Sequence, residues 1–419
     1  MSKRAGGLTV ARAAARVALM ALAAGAVGHA AAAAAGKPDQ ALLAKAEQAR
    51  PEALKLLERL VNIDSGTFNG PGLDRVGALA QEELKRLGAQ VETFAATPAL
   101  SRNIQATLTG TGKGRILLVA HMDTVFPDGA AAARPFRIEG ARAYGPGIMD
   151  DKGGIVIALT ALKILKQSGD TGYGKITVLL NTNEETGSHG TRALMEKLSR
   201  EHDVALNLEP GRPADGLVVV RKGSGEIALE VTGKAAHAGV APDSGRNAAM
   251  EAAHQMLQLA KLADPAKQTT VNFTVIKSGE RSNVIPDRAT AEADVRVAVP
   301  EEFDRVEQDL ARISAHRLIP DTEVSARLRR GFPPMPTSPV TDAVAAKAQA
   351  VYGELGRKLT LESSGGAADA SLTYAAGVPT VDGLGIVGGA IHTPEEYAEV
   401  ESIAPRVYLL ARLIQEYGR

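Results

Sequence analysis

A continuous apolar run, Ile116-Leu117-Leu118-Val119-Ala120, is followed at once by His121 and Asp123. An unbroken run of this kind reads as a strand buried on both faces, which happens in parallel sheets covered by helices. Polar groups at its carboxyl end stand at the edge where open parallel sheets take their ligands. His121 and Asp123 are two apart, so in an extended segment both side chains point to the same side. A metal-binding imidazole needs its second ring nitrogen held, and a neighbouring carboxylate does that. Alone, the pair is read as well by a loop histidine beside a solvated aspartate.

The same junction recurs. Lys175-Ile176-Thr177-Val178-Leu179-Leu180 is a second apolar strand, and it ends in Asn181-Thr182-Asn183-Glu184-Glu185-Thr186-Gly187-Ser188. Adjacent glutamates at a strand end can divide two tasks, one binding metal and the other carrying a proton. Residues 204–208 form a third strand, ending in Glu209-Pro210-Gly211, and a late Gly-rich stretch carries His392. Between the first two strands, Gly147-Ile148-Met149-Asp150-Asp151-Lys152-Gly153-Gly154 leads into a helix with Ile155, Leu159, Leu162 and Leu165 on one face. The helix dipole alone explains acids at a helix start. It does not explain why a histidine, a Glu-Glu pair and a further acid share one sheet edge.

In this order, His-x-Asp, Gly-x-x-Asp-x-Lys-Gly, Glu-Glu, a single acid and a late His, the chain resembles the M20 family of co-catalytic zinc peptidases. The resemblance runs through essentially all of the chain after about residue 40, and within the family it looks most like the bacterial glutamate carboxypeptidases that cut C-terminal glutamate from folates. It implies two zinc ions, replaceable by cobalt or manganese, with Asp150 bridging, His121 and Glu209 completing one site, and Glu185 and His392 the other. It implies Glu184 as general base and Asp123 as the group orienting His121. Where the commoner family sequence has Asp, this chain has Asn183, so the surroundings of the ligands are expected to differ. The family pattern also implies a cis peptide between Asp150 and Asp151.

From the same resemblance, His237 in Gly233-Lys234-Ala235-Ala236-His237-Ala238-Gly239 is expected to stabilise the oxyanion in a partner subunit's site. Asn283 and Arg296 resemble residues that hold a substrate's terminal carboxylate, for which a guanidinium fork is suited. Gly365, Gly366 and Ala367 resemble a loop lining the specificity pocket. Read singly, His237 and Arg296 are ordinary surface residues. His189, His202, His254 and His316 read as structural or surface groups, and Arg329-Arg330 as solvated charges.

Length and composition fit this frame. At 419 residues, two folded domains are the natural expectation. Zero formal net charge gives no basis for nucleic-acid or anionic-membrane binding. Without cysteine, any metal must be held by His, Asp and Glu. At the amino end, Lys3, Arg4, Arg12 and Arg16 precede the apolar stretch 17–27 and small residues around Gly28-His29-Ala30-Ala31. Residues 1–36 therefore read as a signal peptide for the general secretory route, too short in its apolar part to span a bilayer. The mature protein is expected to be secreted or periplasmic.

Helical patterns at 38–61 and 74–87, the latter closed by Gly88, and strands at 90–94 and 103–108 precede the central stretch. Strands alternating with helices predict an α/β domain with a mainly parallel sheet. From about residue 222 the order becomes β-α-β-β-α-β, with strands at 226–232, 270–276, 289–297 and 323–329 and helices at 247–262 and 301–316, a ferredoxin-like unit. The alternation of Thr290, Glu292, Asp294 and Arg296 with Ala291, Ala293, Val295 and Val297 leaves one face of that sheet free of helices. Pro333, Pro334, Pro336 and Pro339 then make a stiff return. The predicted arrangement is a zinc-exopeptidase-like α/β catalytic domain, 37–221 and 331–419, with an inserted α+β lid and dimerisation domain, 222–330. What the resemblance implies is a homodimeric zinc exopeptidase that releases a C-terminal amino acid, glutamate foremost, from N-acyl, peptidyl or folate-like substrates, with no nucleic-acid partner. An aminoacylase or dipeptidase of other specificity competes within the same family, and a non-catalytic metal- or peptide-binding protein competes from outside it.

Overall fold

A computed structural model describes residues 36–419; the expected signal peptide, apart from its last residue, lies outside them. Six strands form the central sheet in the order Gln90–Ala95, Arg102–Thr109, Lys175–Asn181, Arg115–His121, Val204–Asn207 and Thr380–Val381. The first two pairings are antiparallel and the other three parallel. Because Arg115–His121 runs parallel to both flanking strands, all three release their chains at the same edge. His121 is level with Asn181, and Val119 with Asn207. The segments that leave this edge carry His121, Glu184 and Glu209.

The helix Lys152–Gln167 departs from the one-faced pattern. Val156, Ile157, Ala158, Thr160, Ala161 and Ile164 are buried together with Ile155, Leu159, Leu162 and Leu165. A helix that is apolar all round belongs inside a core, and here Gln40–Val61 and Ile403–Gly418 pack on it while it packs on the sheet. Its first turn needs glycine: a Cβ on Gly154 would stand 2.2 Å from Leu208 O and 2.1 Å from Asp151 Oδ1. That close approach brings the helix start against the strand that leads to Glu209.

Residues 223–330 build a separate four-stranded antiparallel sheet, ordered Thr270–Ser278, Arg288–Val297, Gly223–Thr232, Glu323–Arg330. The helices Ala248–Leu259 and Pro300–Ser314 pack on this sheet. This is the β-α-β-β-α-β order. Its apolar cluster, Ile227 to Leu310 in sequence, is distinct from the main core, which draws on residues before 221 and after 343. In Arg288–Val297 the alanines and valines are buried, Thr290 and Glu292 are exposed, and Asp294 and Arg296 are half-buried. Several strands had no counterpart in the sequence reading, among them a parallel pair, Gly216–Arg221 with Thr360–Ser364. The first abuts the expected boundary, and the second is too short and polar to stand out from a loop.

Candidate active site

Asp150 lies where the expected ligands meet. Its Oδ1 is 3.0 Å from His121 Nε2 and its Oδ2 is 3.1 Å from His392 Nε2. Glu209 Oε1 approaches His121 Nε2 at 3.6 Å, and Glu185 Oε2 approaches His392 Nε2 at 3.3 Å. The structure thus sorts the donors into His121 with Glu209 and His392 with Glu185, one group on each oxygen of Asp150. The peptide between Asp150 and Asp151 is cis.

Backbone and hydrogen bonds explain how these side chains are held. His121 Nδ1 is 3.0 Å from the Asp123 carbonyl oxygen and 3.4 Å from its carboxylate. The Asp123 carboxylate also accepts from Thr67 Oγ1 at 2.7 Å and from the Glu184 and Glu185 amides at 3.0 and 3.2 Å. Asp123 therefore ties the end of one strand to the Glu-Glu turn of the next. Gly147, at φ +69°, begins the turn that delivers Asp150. His392 itself adopts φ +63°, a conformation that histidine tolerates better than most residues but that is uncommon outside functional sites.

The donors carry too much negative charge to be content among themselves. Burial and the neighbouring Asp150 push the Glu209 carboxyl up to about 8. Burial, then Glu209, raises Glu184 well above the ordinary carboxylate range, and burial raises Glu185. Burial opposes ionisation of Asp150, but hydrogen bonds from His121 and His392 outweigh it and hold Asp150 low. His392 is driven up to about 10 by its bonds to Asp150 and Glu185. Glu185 Oε1 is buried without a partner. Donor atoms of His121, Asp150 and Glu185, and likewise of His121, Glu184 and Glu209, lie within 4.8 Å of one another. Oxygen and imidazole donors with surplus negative charge and an orphaned carboxylate oxygen fit a divalent cation such as zinc.

The donors open into a cleft of about 980 Å³, also lined by His189, Arg212, Arg221, Arg296, Arg329, Arg330, Ser364, Gly365, Gly366 and Ala367. Arg296 and the Gly365-Gly366 loop are therefore brought to the donors. Arg296 is clamped by Asp294, two residues away, with Nη2 at 2.8 Å. His189, Arg329 and Arg330, read from sequence as bland, are in the lining too. His237 and Asn283 are not: both are exposed beside a short two-stranded sheet, Ala236–His237 with Val284–Ile285, where Ala238 N donates to Asn283 O. His237 Nδ1 accepts from the Gly239 and Val240 amides at 3.1 Å each, so the ring proton belongs on Nε2.

Among the described residues the Asn183 side chain hydrogen-bonds none of the cation donors. Its Oδ1 is 2.9 Å from Thr191 Oγ1, in a buried network in which Asn181 and Ser188 donate to Asp369. Sequence reading missed this network and two further groups. Glu396, 1% exposed, accepts from the amides of Gly147, Met149 and Asp150 at 3.0, 2.9 and 3.1 Å. Arg221, 2% exposed, bonds Asp382 at 2.5 Å, approaches Glu209 Oε2 at 3.5 Å and donates to Gly366 O. A lone arginine before Lys-Gly and one acid of Pro-Glu-Glu carry no period or motif that marks them. His202 is structural, as expected: it is buried between Leu198 O and Thr177 Oγ1, and burial lowers it to about 4.

The profile described as peptidase family M20/M25/M40 matches residues 117–416. Carboxypeptidase G2 of Pseudomonas sp. strain RS-16 is 39% identical over 386 residues, 91% of this chain and 93% of that protein. A succinyl-diaminopimelate desuccinylase of Gluconacetobacter diazotrophicus is 29% identical over 391 residues, 87% of this chain and 96% of its own. In structure, the aminopeptidase PepT of Bacillus cereus superposes with a TM-score of 0.75 at 24% identity, covering 88% of this chain and 99% of PepT.

Proposed function

Because this chain belongs to peptidase family M20/M25/M40, we propose that it is a zinc-dependent carboxypeptidase that releases a C-terminal amino acid, glutamate by preference, from N-acyl, peptidyl or folate-like substrates. The observation that carries the reading is the division of donors about Asp150, His121 with Glu209 on one oxygen and His392 with Glu185 on the other. These residues would hold two zinc ions per chain, His121 with Glu209 for one and His392 with Glu185 for the other, with Asp150 available to both. Bound metal supplies Lewis acidity, polarising the scissile carbonyl and acidifying water.

The remaining work falls to the chain's own groups. Glu184 is next to a ligand yet is not paired with either imidazole of the Asp150 bridge, and burial raises its proton affinity. It takes the proton of the attacking water and returns it to the leaving nitrogen. Asp123 fixes the His121 ring and, through the Glu184 amide, the base itself. Arg296, in the cleft lining, receives the α-carboxylate, and the Gly365-Gly366 loop lies alongside. His237 presents Nε2–H from an exposed two-stranded sheet outside its own cleft, which suits an oxyanion donor serving the neighbouring subunit. The outer strand Thr270–Ser278, with Val275 and Ile276 exposed, offers an edge for pairing two copies. Asn283, next to His237 across the same strand pair, would arrive with it. Export fits the amino-terminal sequence, and no helix of the described residues is long and apolar enough to cross a membrane.

The metal-loaded protein is assayed on C-terminal glutamyl peptides, N-acyl-glutamate, N-acyl-leucine and N-succinyl-diaminopimelate. Glutamate preference is the expected result. Equal or better turnover of neutral residues assigns the protein to the aminoacylases instead, and turnover of the succinyl compound alone aligns it with the desuccinylases.

A further inference from the structure

Five arginines line the cleft, and four already have acidic partners. Arg221 pairs with Asp382, Arg296 with Asp294, Arg329 with Glu226, and Arg330 with Asp304 and Glu307. Arg212 makes no ion pair among the described residues; its side chain donates once, from Nη2 to Ser364 Oγ at 3.2 Å. A guanidinium carries five N–H donors in a planar fork. One neutral acceptor leaves most of that fork, and the whole charge, uncompensated.

The backbone on both sides of Arg212 is held by hydrogen bonds. Arg212 and Gly216 exchange two backbone hydrogen bonds, at 3.1 and 2.9 Å, around a turn in which Ala214 and Asp215 take φ of 57° and 62°. Gly211 N is bonded to Ile386 O. Arg212 stands three residues after Glu209, and its partner Ser364 adjoins Gly365 and Gly366, so its side chain joins the loop of a metal donor to the glycine wall. That wall is open: a Cβ on Gly365 would meet no atom within 4 Å. A released glutamate has two carboxylates. In the reading above Arg296, held by Asp294, meets one of them; of the cleft arginines only Arg212 keeps its charge uncompensated for the other.

The geometry points to Arg212 as the residue that reads the side-chain carboxylate of the amino acid released, so that it, and not the metal centre, sets the preference for an acidic C-terminal residue. The inference rests on the carboxypeptidase reading above and adds to it the group that determines specificity. A planar fork already tethered on one edge favours a carboxylate over the isosteric carboxamide, which offers one acceptor oxygen in place of two.

The test compares kcat/KM for N-acyl-glutamate and N-acyl-glutamine in the wild type, Arg212→Gln and Arg212→Lys. Binding of free glutamate and glutamine, measured by calorimetry, is read in parallel because it needs no turnover. The wild type should favour glutamate in both assays. Arg212→Gln should reduce the ratio by roughly ten- to a hundredfold, chiefly through KM, and Arg212→Lys should recover part of it. A glutamate preference that survives Arg212→Gln overturns the assignment of Arg212 while leaving the carboxypeptidase reading intact. A wild type that binds and cleaves the two alike overturns the acidic specificity with it. Absence of turnover on any N-acyl amino acid overturns the carboxypeptidase reading, and the binding ratio then judges Arg212 alone.

Discussion

Replacing Glu396 by glutamine separates the metal centre from its support. Glu396 touches no imidazole; it gathers the amides of Gly147, Met149 and Asp150, the turn that delivers the shared carboxylate. Glutamine keeps one acceptor oxygen, enough for the two amides on Oε1, and sets an NH2 group against the Gly147 amide. It also removes a negative charge beside the donors. Groups that orient metal ligands are worth about ten- to a hundredfold in metal affinity, so a loss of that size is expected for Glu396→Gln at pH 8. The pH dependence follows from burial, which pushes the Glu396 carboxyl up to about 7 in the metal-free protein. Below that value the wild type carries a neutral acid, which glutamine imitates; above it, the wild type ionises and the variant does not. The affinity ratio of wild type to variant should therefore grow as pH rises through about 7 and level off beyond it. Stability of the metal-free protein moves the other way. A raised carboxyl keeps in the folded state a proton that the unfolded chain gives up, so the wild type loses stability as pH rises from the ordinary carboxylate range to about 7, and the variant is spared. Competition titration against a chelator at pH 6 and pH 8, with urea unfolding of the stripped proteins, reads both effects. Equal metal affinity at pH 8, or a deficit that does not change with pH, would refute the reasoning.

Glu184→Gln should lower turnover at least about a hundredfold with metal content unchanged at about two ions per chain; a near-normal rate removes Glu184 from proton transfer. If the chain forms the proposed dimer, mixed His237→Ala and Glu184→Gln chains, each inactive alone, should regain activity in at most about a quarter of all sites, since random exchange leaves half the dimers mixed with one intact site each. No recovery after demonstrated exchange would mean that His237 does not serve a neighbour. His202 is held neutral in the fold by burial, near 4, while the unfolded chain takes up a proton below about 6.5. Stability should accordingly fall between pH 6.5 and 4 by up to roughly 3 kcal/mol. His202→Gln should flatten that part of the profile, and an unchanged profile in denaturant titrations would show that His202 titrates normally.

The donors were legible because each ends or follows an element with a strong period. His121, Glu184 and Glu209 close apolar runs that could only be buried strands, and parallel pairing brings buried strand ends to one edge. Glu396 and Arg212 were not, because a loop imposes no period: which acid of Glu395-Glu396 turns inward is decided by three amides more than two hundred residues away. Arg221 was hidden for another reason. It ends the strand Gly216–Arg221, whose partner Thr360–Ser364 comes from the far side of the inserted unit. The helix Lys152–Gln167 shows the limit of reading by face, since its four expected apolar positions were correct and the rest of its circumference is buried as well.

The long insertion also sets an order of assembly on the ribosome. Residues 223–330 form a sheet and core of their own, and a unit of contiguous sequence can fold as it emerges. The metal centre cannot. His121, Asp150, Glu185 and Glu209 are made early, but His392 and the Glu396 that holds Asp150 follow well over a hundred residues later, as does the strand Thr380–Val381 that borders Val204–Asn207. Until then the nascent chain carries an incomplete donor set on a sheet missing its last strand. Metal capture and closure of the central sheet thus become late events that nearly coincide, and a chain truncated before Thr380 would lose both at once.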